Sequence, residues 1–195
     1  MARHSPKGQK SKRSKKSPSG VEDIPTIDID AALLSDDIPD AIKIAVADAM
    51  IAYGAMENTA ERLIWTITGL SYDDGRLMTR LADKFEILKT LTENYGLIIH
   101  PSRQTTTDMW TAIRQLVQAR NLMIHGVWAM LDHRIPVSIS SRLPTTTGNV
   151  VGEAFPQERL EAITRQSFRV KESLDRLLAR VKTSPPIRPA RYAPG

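Results

Sequence analysis

The stretch DAIKIAVADAMIAYGAMENTAERLIWTIT, residues 40–68, decides the fold because it is a long run with clear helical periodicity. Its apolar side chains recur every three or four residues, as they do along one face of an α-helix. They include Ile42, Val46, Ala49, Met50, Tyr53, Ala60, Ile64 and Ile67. Pro39 precedes the run and Gly69 follows it, which is typical of a helix start and a helix end. The pattern predicts a first helix from about Asp40 to Thr68.

Three more segments have the same periodicity. They predict a second helix over about 74–95, a third over about 102–124 and a fourth over about 156–182. Between the third and fourth, residues 127–152 contain a short alternating run and the turn residues Thr147, Gly148 and Asn149, which indicates a short β-hairpin. The sequence therefore predicts an all-α fold, an antiparallel four-helix bundle with a hairpin insert between helices three and four.

The charge of the chain is concentrated at its amino terminus. The 195 residues have a net charge of +5, yet residues 1–20 contain seven Lys and Arg and no acid. The remaining 20 basic and 22 acidic residues leave the rest of the chain slightly acidic. We expect a disordered basic tail over 1–21, a helical domain over 22–182 and a proline-rich tail over 183–195.

The basic tail has two interpretations. It is a solubilising extension, or it is an arm that binds RNA phosphates without sequence specificity. The second interpretation makes a set of closely spaced cations the candidate nucleic-acid contacts. They are Lys10, Lys12, Arg13, Lys15 and Lys16.

Several classes of protein are excluded or disfavoured by composition. The absence of cysteine excludes disulfides, thiol catalysis and cysteine metal sites. The sequence contains no run of about 18 apolar residues, so it predicts no membrane-spanning helix. Motifs for zinc proteases, for phosphate-binding loops and for dinucleotide folds are all missing. We therefore expect a cytoplasmic protein with no metal and no cofactor.

One polar residue of the third predicted helix lies in an apolar position. On a helical wheel, Arg120 sits at the centre of an arc of apolar residues that lie within about 60° of it. These are Met109, Ile113, Leu116, Val117, Met123, Ile124 and Val127. Because an unpaired buried guanidinium costs several kcal/mol, either a carboxylate from another helix meets Arg120 or this face borders a polar cavity or an interface.

Two more polar residues border this arc. Asn121 and His125 are four positions apart and share one helix face, and Gly126 follows at the predicted helix end. On the first helix, Glu57 lies at the rim of the apolar face, so we expect it to pair with Arg120, with Glu61 as the alternative partner. A purely structural interpretation remains open, in which an Arg–Glu pair only fixes the helix register. The tryptophans Trp65, Trp110 and Trp128 are expected in the core, with base stacking as the alternative.

The string RNLMIHG, residues 120–126, resembles the motif of the HEPN superfamily (higher eukaryotes and prokaryotes nucleotide-binding domains). That motif is an Arg followed by four to six residues and a His, often with a polar residue directly after the Arg, a position that Asn121 fills here. HEPN domains are small helical bundles with the motif towards the end of a long helix. The string YGAME at 53–57 and Trp128 resemble one prokaryotic branch. The likeness covers residues 40–182.

The resemblance implies a metal-independent endoribonuclease that acts as a toxin or antiviral effector, often beside an antitoxin protein. It implies a homodimer whose composite site joins two Arg–His pairs. His125 would exchange protons with the RNA 2′-hydroxyl or the leaving 5′-oxygen, Arg120 would stabilise the phosphate charge and Asn121 would orient these groups. The superfamily also includes non-catalytic members that bind RNA, nucleotides or proteins, and this is the alternative function.

Overall fold

The structure, a computed structural model, describes residues 26–28, 34–70, 73–74, 83–97, 103–140 and 151–183. The basic tail over 1–21, with its five candidate RNA contacts, lies outside the described residues, as does nearly all of the proline-rich tail. The turn residues 147–149 also lie outside them.

Four helices longer than ten residues account for most of the described chain. They are α1 (Asp40–Thr68), α2 (Lys84–Asn94), α3 (Arg103–His125) and α4 (Gln157–Thr183). The prediction for α1 is confirmed at both ends, because Pro39 precedes it and Gly69 ends it with a left-handed φ of 65°. Glycine adopts that backbone conformation at little cost, so its N–H can donate to the carbonyl of Trp65 at 2.8 Å.

An antiparallel sheet accompanies the helices. Its strands are β1 (Thr26–Asp28), β2 (Leu34–Ser35), β3 (Val127–Leu131), β4 (Ile135–Ser140) and β5 (Val151–Ala154), in the order β1-β5-β4-β3-β2. The sequence predicts only a hairpin here, from the alternating run 137–140 and the turn residues 147–149. The antiparallel β4–β5 pair, whose strands flank those turn residues in sequence, corresponds to it, and the β3–β4 pair is additional. The all-α class is therefore too narrow, since β1 and β2 come from the segment before α1. Strands of two and three residues are too short to give a recognisable alternating pattern.

The core is built mainly between α1 and α4, which run parallel. Thr59 of α1 donates a hydrogen bond to Asp175 of α4 at 3.3 Å. Nearer their amino-terminal ends, Asp48 and Thr164 line the same crevice. In both pairs the residue of α4 lies 116 positions after the residue of α1. Because this separation stays constant along the helices, α1 and α4 run in the same direction. The prediction of an antiparallel bundle is wrong for this pair, because both helices start from the same sheet: β2 precedes α1 and β5 precedes α4.

The carboxyl end of α3 packs tightly on the sheet. Ser138 of β4, which is fully buried, donates to the carbonyl of Leu122 at 2.7 Å, and Gly126 donates to the same carbonyl at 2.9 Å. A Cβ atom on Gly126 would lie 1.9 Å from the Ser138 hydroxyl and 2.6 Å from the Leu122 carbonyl oxygen. Only glycine fits between the helix end and β4.

Replacement of Gly126 by alanine should therefore destabilise the protein. The added methyl group must displace backbone as well as the Ser138 side chain, and overpacking of this kind costs about 1–3 kcal/mol. Urea unfolding measures the change. Gly54→Ala is the matched control, because a Cβ at Gly54 meets nothing within 4 Å and alanine in a helix interior gains about 0.5–1 kcal/mol. Equal stability of the two variants would contradict the close approach at Gly126.

Candidate functional site

The three motif residues lie in the last two turns of α3. Asn121 and His125 are exposed, and Arg120 is partly buried. The apolar arc around Arg120 is buried over most of its length, at Met109, Ile113, Leu116 and Met123. Its end differs from the prediction, because Ile124 is 44% exposed and Val127 is 70% exposed. Arg120 therefore sits where the buried face of α3 gives way to an exposed surface.

Arg120 contacts one residue of its own helix and one of α1. Its Nη1 donates to Oδ1 of Asn121 at 3.0 Å. The guanidinium carbon lies 5.9 Å from the centroid of the Tyr53 ring, within the range of a cation–π interaction. The amide and the aromatic face stabilise the cation without removing its charge, so Arg120 remains able to attract an anion.

The predicted carboxylate partner of Arg120 is engaged elsewhere. Glu57 lies 3.3 Å from Nζ of Lys84, and Glu61 pairs with the same ammonium. Within the described ranges, no ion pair joins Arg120 to either carboxylate, so the prediction of a direct Glu57–Arg120 pair is wrong. Lys84 is the first residue of α2, and its place beside α1 depends on tertiary packing that a helical wheel does not contain.

Two opposing effects act on the pKa of Lys84. Burial lowers the pKa of its ammonium, but the hydrogen bonds and negative charges of Glu61 and Glu57 outweigh this effect and raise the pKa above its usual value. The lysine therefore stays charged and fixes the start of α2 against α1. Glu57 therefore has a structural role as an ion-pair partner of Lys84, in addition to lying near the candidate site.

Tyr53 connects the Glu57 region to Arg120. The side chain is nearly inaccessible, at 4% exposure, and its ring packs edge-on against Phe85 with 6.3 Å between centroids. Burial, followed by the negative charge of Glu57, raises the pKa of the phenol well above its ordinary value, and Arg120 only partly opposes this. Tyr53 is thus a neutral residue at the site. Sequence reasoning placed it in the core because its helical position is apolar.

The backbone at His125 is held by the junction between α3 and the sheet. Gly126 and Ser138 bond the Leu122 carbonyl, and the indole N–H of Trp128 donates to the Met123 carbonyl at 3.0 Å. The Trp128 ring also packs against Phe155, 5.4 Å between centroids. Trp128 therefore has the core role that the sequence favours. The last turn of α3 is fixed while the imidazole faces solvent.

The geometry limits what one copy of the chain can do. Five helical positions separate Arg120 and His125 by about 140° around the axis, and Arg120 leans towards α1. One copy therefore presents a fixed cation and a titratable imidazole on neighbouring sides of a helix end. Both groups suit phosphate binding and proton transfer.

Two kinds of feature are missing from the described residues. No group of three His, Asp or Glu side chains in this part of the chain is placed to hold a metal ion. None of the helices in the described ranges is long and apolar enough to cross a bilayer.

The raised pKa of Tyr53 predicts a loss of stability at alkaline pH. Above pH 10 the unfolded chain ionises this phenol while the folded chain keeps it protonated, so ionisation favours unfolding as the pH rises. Above pH 10, the difference in unfolding free energy between the natural chain and Tyr53→Phe should change by about 1.4 kcal/mol per pH unit. Denaturation at pH 9–11 tests this, with Tyr95→Phe as the control. A constant difference would contradict the burial of this phenol.

Comparisons with models of protein families, with curated proteins and with solved structures find no match for this chain.

Proposed function

We propose that this protein is a metal-independent endoribonuclease of the HEPN type, possessing a composite Arg120–His125 site formed by two copies of the chain. The proposal includes a biological role as a toxin or antiviral effector. It also includes an antitoxin protein as a further partner. Its support is the motif Arg120–Asn121–His125, together with the position of these residues at an anchored but accessible helix end.

The observation that carries the proposal is the contrast between rigid backbone and open side chains at this end of α3. Three hydrogen bonds hold the carbonyls of Leu122 and Met123, yet Asn121 and His125 are exposed. A residue used only for packing has no need of this exposure. Catalytic groups, in contrast, must be accessible to substrate and fixed in position.

The chemistry follows from the two side chains. An imidazole removes the proton of the RNA 2′-hydroxyl as its oxygen forms a bond to phosphorus. The bond from phosphorus to the 5′-oxygen breaks, and a second imidazole gives that oxygen a proton. The Arg120 guanidinium binds the phosphate oxygens as negative charge develops. The products are a 2′,3′-cyclic phosphate and a 5′-hydroxyl.

Two copies are required because one copy of the motif offers a single imidazole, His125, displaced around the helix from Arg120. Ile124 and Val127 lie on either side of His125 in sequence and are both exposed. Apolar side chains of this size gain free energy when a partner covers them. They are the contact through which two α3 ends would meet.

A non-catalytic binding module is the second candidate. The observation in its favour is the engagement of Arg120 by Asn121 and Tyr53 within one chain, which holds the cation even without RNA. Such a module would bind RNA through Arg120 and leave it uncut.

Cleavage of RNA in the presence of EDTA tests the first candidate. His125→Ala should reduce the rate about 10²- to 10⁴-fold, since it removes the proton-transferring group. His133→Asn is the matched control, because His133 is also exposed but lies in the β3–β4 turn with a positive φ that asparagine tolerates. We expect the control to cleave at the natural rate.

Three further results would separate the candidates. Equal cleavage by the natural chain and His125→Ala would point to a contaminating nuclease and overturn the catalytic assignment. Binding without cleavage would favour the non-catalytic module. Ile124→Lys with Val127→Lys should abolish cleavage while leaving the fold intact, because both side chains are already exposed.

Deletion of residues 1–20 tests the basic tail as an RNA arm. If its seven cations bind phosphates, the deletion should weaken binding at low salt and reduce the slope of log affinity against log salt by up to about 5. Titration of labelled single-stranded RNA at several salt concentrations measures both. Unchanged affinity at low salt would show that the tail is not such an arm.

A further inference from the structure

The outer face of α1 carries an exposed apolar stripe. Ile44 is 61% exposed and Ile51 is 67% exposed, two turns apart on the same side of the helix. Ala47 between them and Gly54 and Asn58 beyond them are also exposed and uncharged, and Asp48 flanks them on the side of α4. The full stripe is Ile44, Ala47, Ile51, Gly54 and Asn58.

The spacing of the stripe is that of a helix–helix contact. Its members alternate by three and four residues, the a/d pattern with which one helix packs along another. Within this chain, however, the buried face of α1 lies on the opposite side, at Ala49, Met56 and Ala60. The stripe is therefore a helix face that the described residues of this chain leave exposed.

A neighbouring residue of α4 widens the stripe. A crevice of about 270 Å³ lies between α1 and α4 and is lined by Ile44 and Asp48 on one side and by Thr164 and Arg165 on the other. One turn further along α4, the same side carries Phe168, which is 45% exposed. Since α1 and α4 run parallel, Phe168 lies close to the level of Ile51.

The charges at the two ends of the stripe identify the occupant. Asp40 and Arg62 each lie eleven residues from Ile51, on the line of the stripe, and both are exposed. Asp40 contacts Lys43 at 3.0 Å, and none of the ion pairs among the described residues includes Arg62. Two antiparallel copies of α1 that cross at Ile51 would place each Asp40 opposite the Arg62 of the other copy.

The same register opposes no like charges along the stripe, and it faces Ile44 of each copy with Asn58 of the other. It brings the two Ile51 side chains together at the two-fold axis, and it places Ala47 of each copy near Gly54 of the other. A parallel arrangement would instead face Asp40 with Asp40 and Arg62 with Arg62. The charge pattern is therefore complementary to itself in the antiparallel orientation only.

We propose that two copies of this chain associate through an antiparallel contact of their α1 stripes, centred on Ile51. The contact does not rest on the proposed nuclease function, because Tyr53, which reaches Arg120, lies on the other side of α1. From Asp40 to Arg62 the stripe is about 33 Å long and one helix wide, which is below the usual size of a stable interface. We expect a concentration-dependent dimer with a Kd of roughly 1–100 µM.

Sedimentation of the full chain over a range of concentrations tests the contact. Ile51→Lys should raise the Kd at least about tenfold, since it places two ammonium groups at the axis. Asp40→Arg and Arg62→Asp should each weaken the dimer, and the double variant should restore it. A dimer that survives Ile51→Lys but is lost on Ile124→Lys would overturn this proposal and leave the composite nuclease site standing.

A crosslinking experiment examines the two-fold axis directly. The chain has no cysteine, so Ile51→Cys introduces a single thiol. Mild oxidation should convert this variant to a disulfide-linked dimer at least tenfold faster than Arg176→Cys, whose thiol would lie on the exposed face of α4. Equal rates would overturn the proposal. A monomer whose introduced thiol resists alkylation would also overturn it, because a terminal segment of the same chain would then cover the stripe.

Discussion

The closure of the α3 carboxyl end on the sheet is the interaction on which the rest of the structure depends. The last carbonyls of a helix have no partner within the helix, and leaving them buried without one costs free energy. Here the hydroxyl of Ser138, the N–H of Gly126 and the indole of Trp128 supply the missing donors. The junction joins the sheet to the bundle and fixes the helix turn that carries His125.

The prediction of the helices succeeded where local signals were complete. Pro39 and Gly69 bound α1, because these residues determine backbone conformation by themselves. Gly126 follows α3 without a left-handed φ, and the close approach of Ser138 is what requires glycine there. The direction of α4 relative to α1 was predicted wrongly. That direction depends on the sheet between α3 and α4, and two of its strands, β1 and β2, are too short to leave a periodic signal.

The sequence names the residues of the candidate site but not the contacts that they make. A helical wheel places Arg120 beside an apolar face and so demands a partner, but it does not identify that partner. Arg120 contacts the ring of Tyr53, while Lys84 at the start of α2 pairs with both Glu57 and Glu61. A wheel of one helix contains no information on which neighbouring helix brings a competing cation. The contact between Tyr53 and Arg120 was missed for the same reason.

The parallel course of α1 and α4 has an electrostatic consequence. Aligned helices add their macrodipoles, so two partial positive charges meet at one end of the core and two partial negative charges at the other. Acidic side chains in the first turns, Asp40 and Glu158, offset the positive end, and Arg180 and Lys182 offset the negative end of α4. The last turn of α1 has no basic residue. Unlike α4, α1 therefore ends in a partial negative charge that no basic side chain of its own last turn offsets.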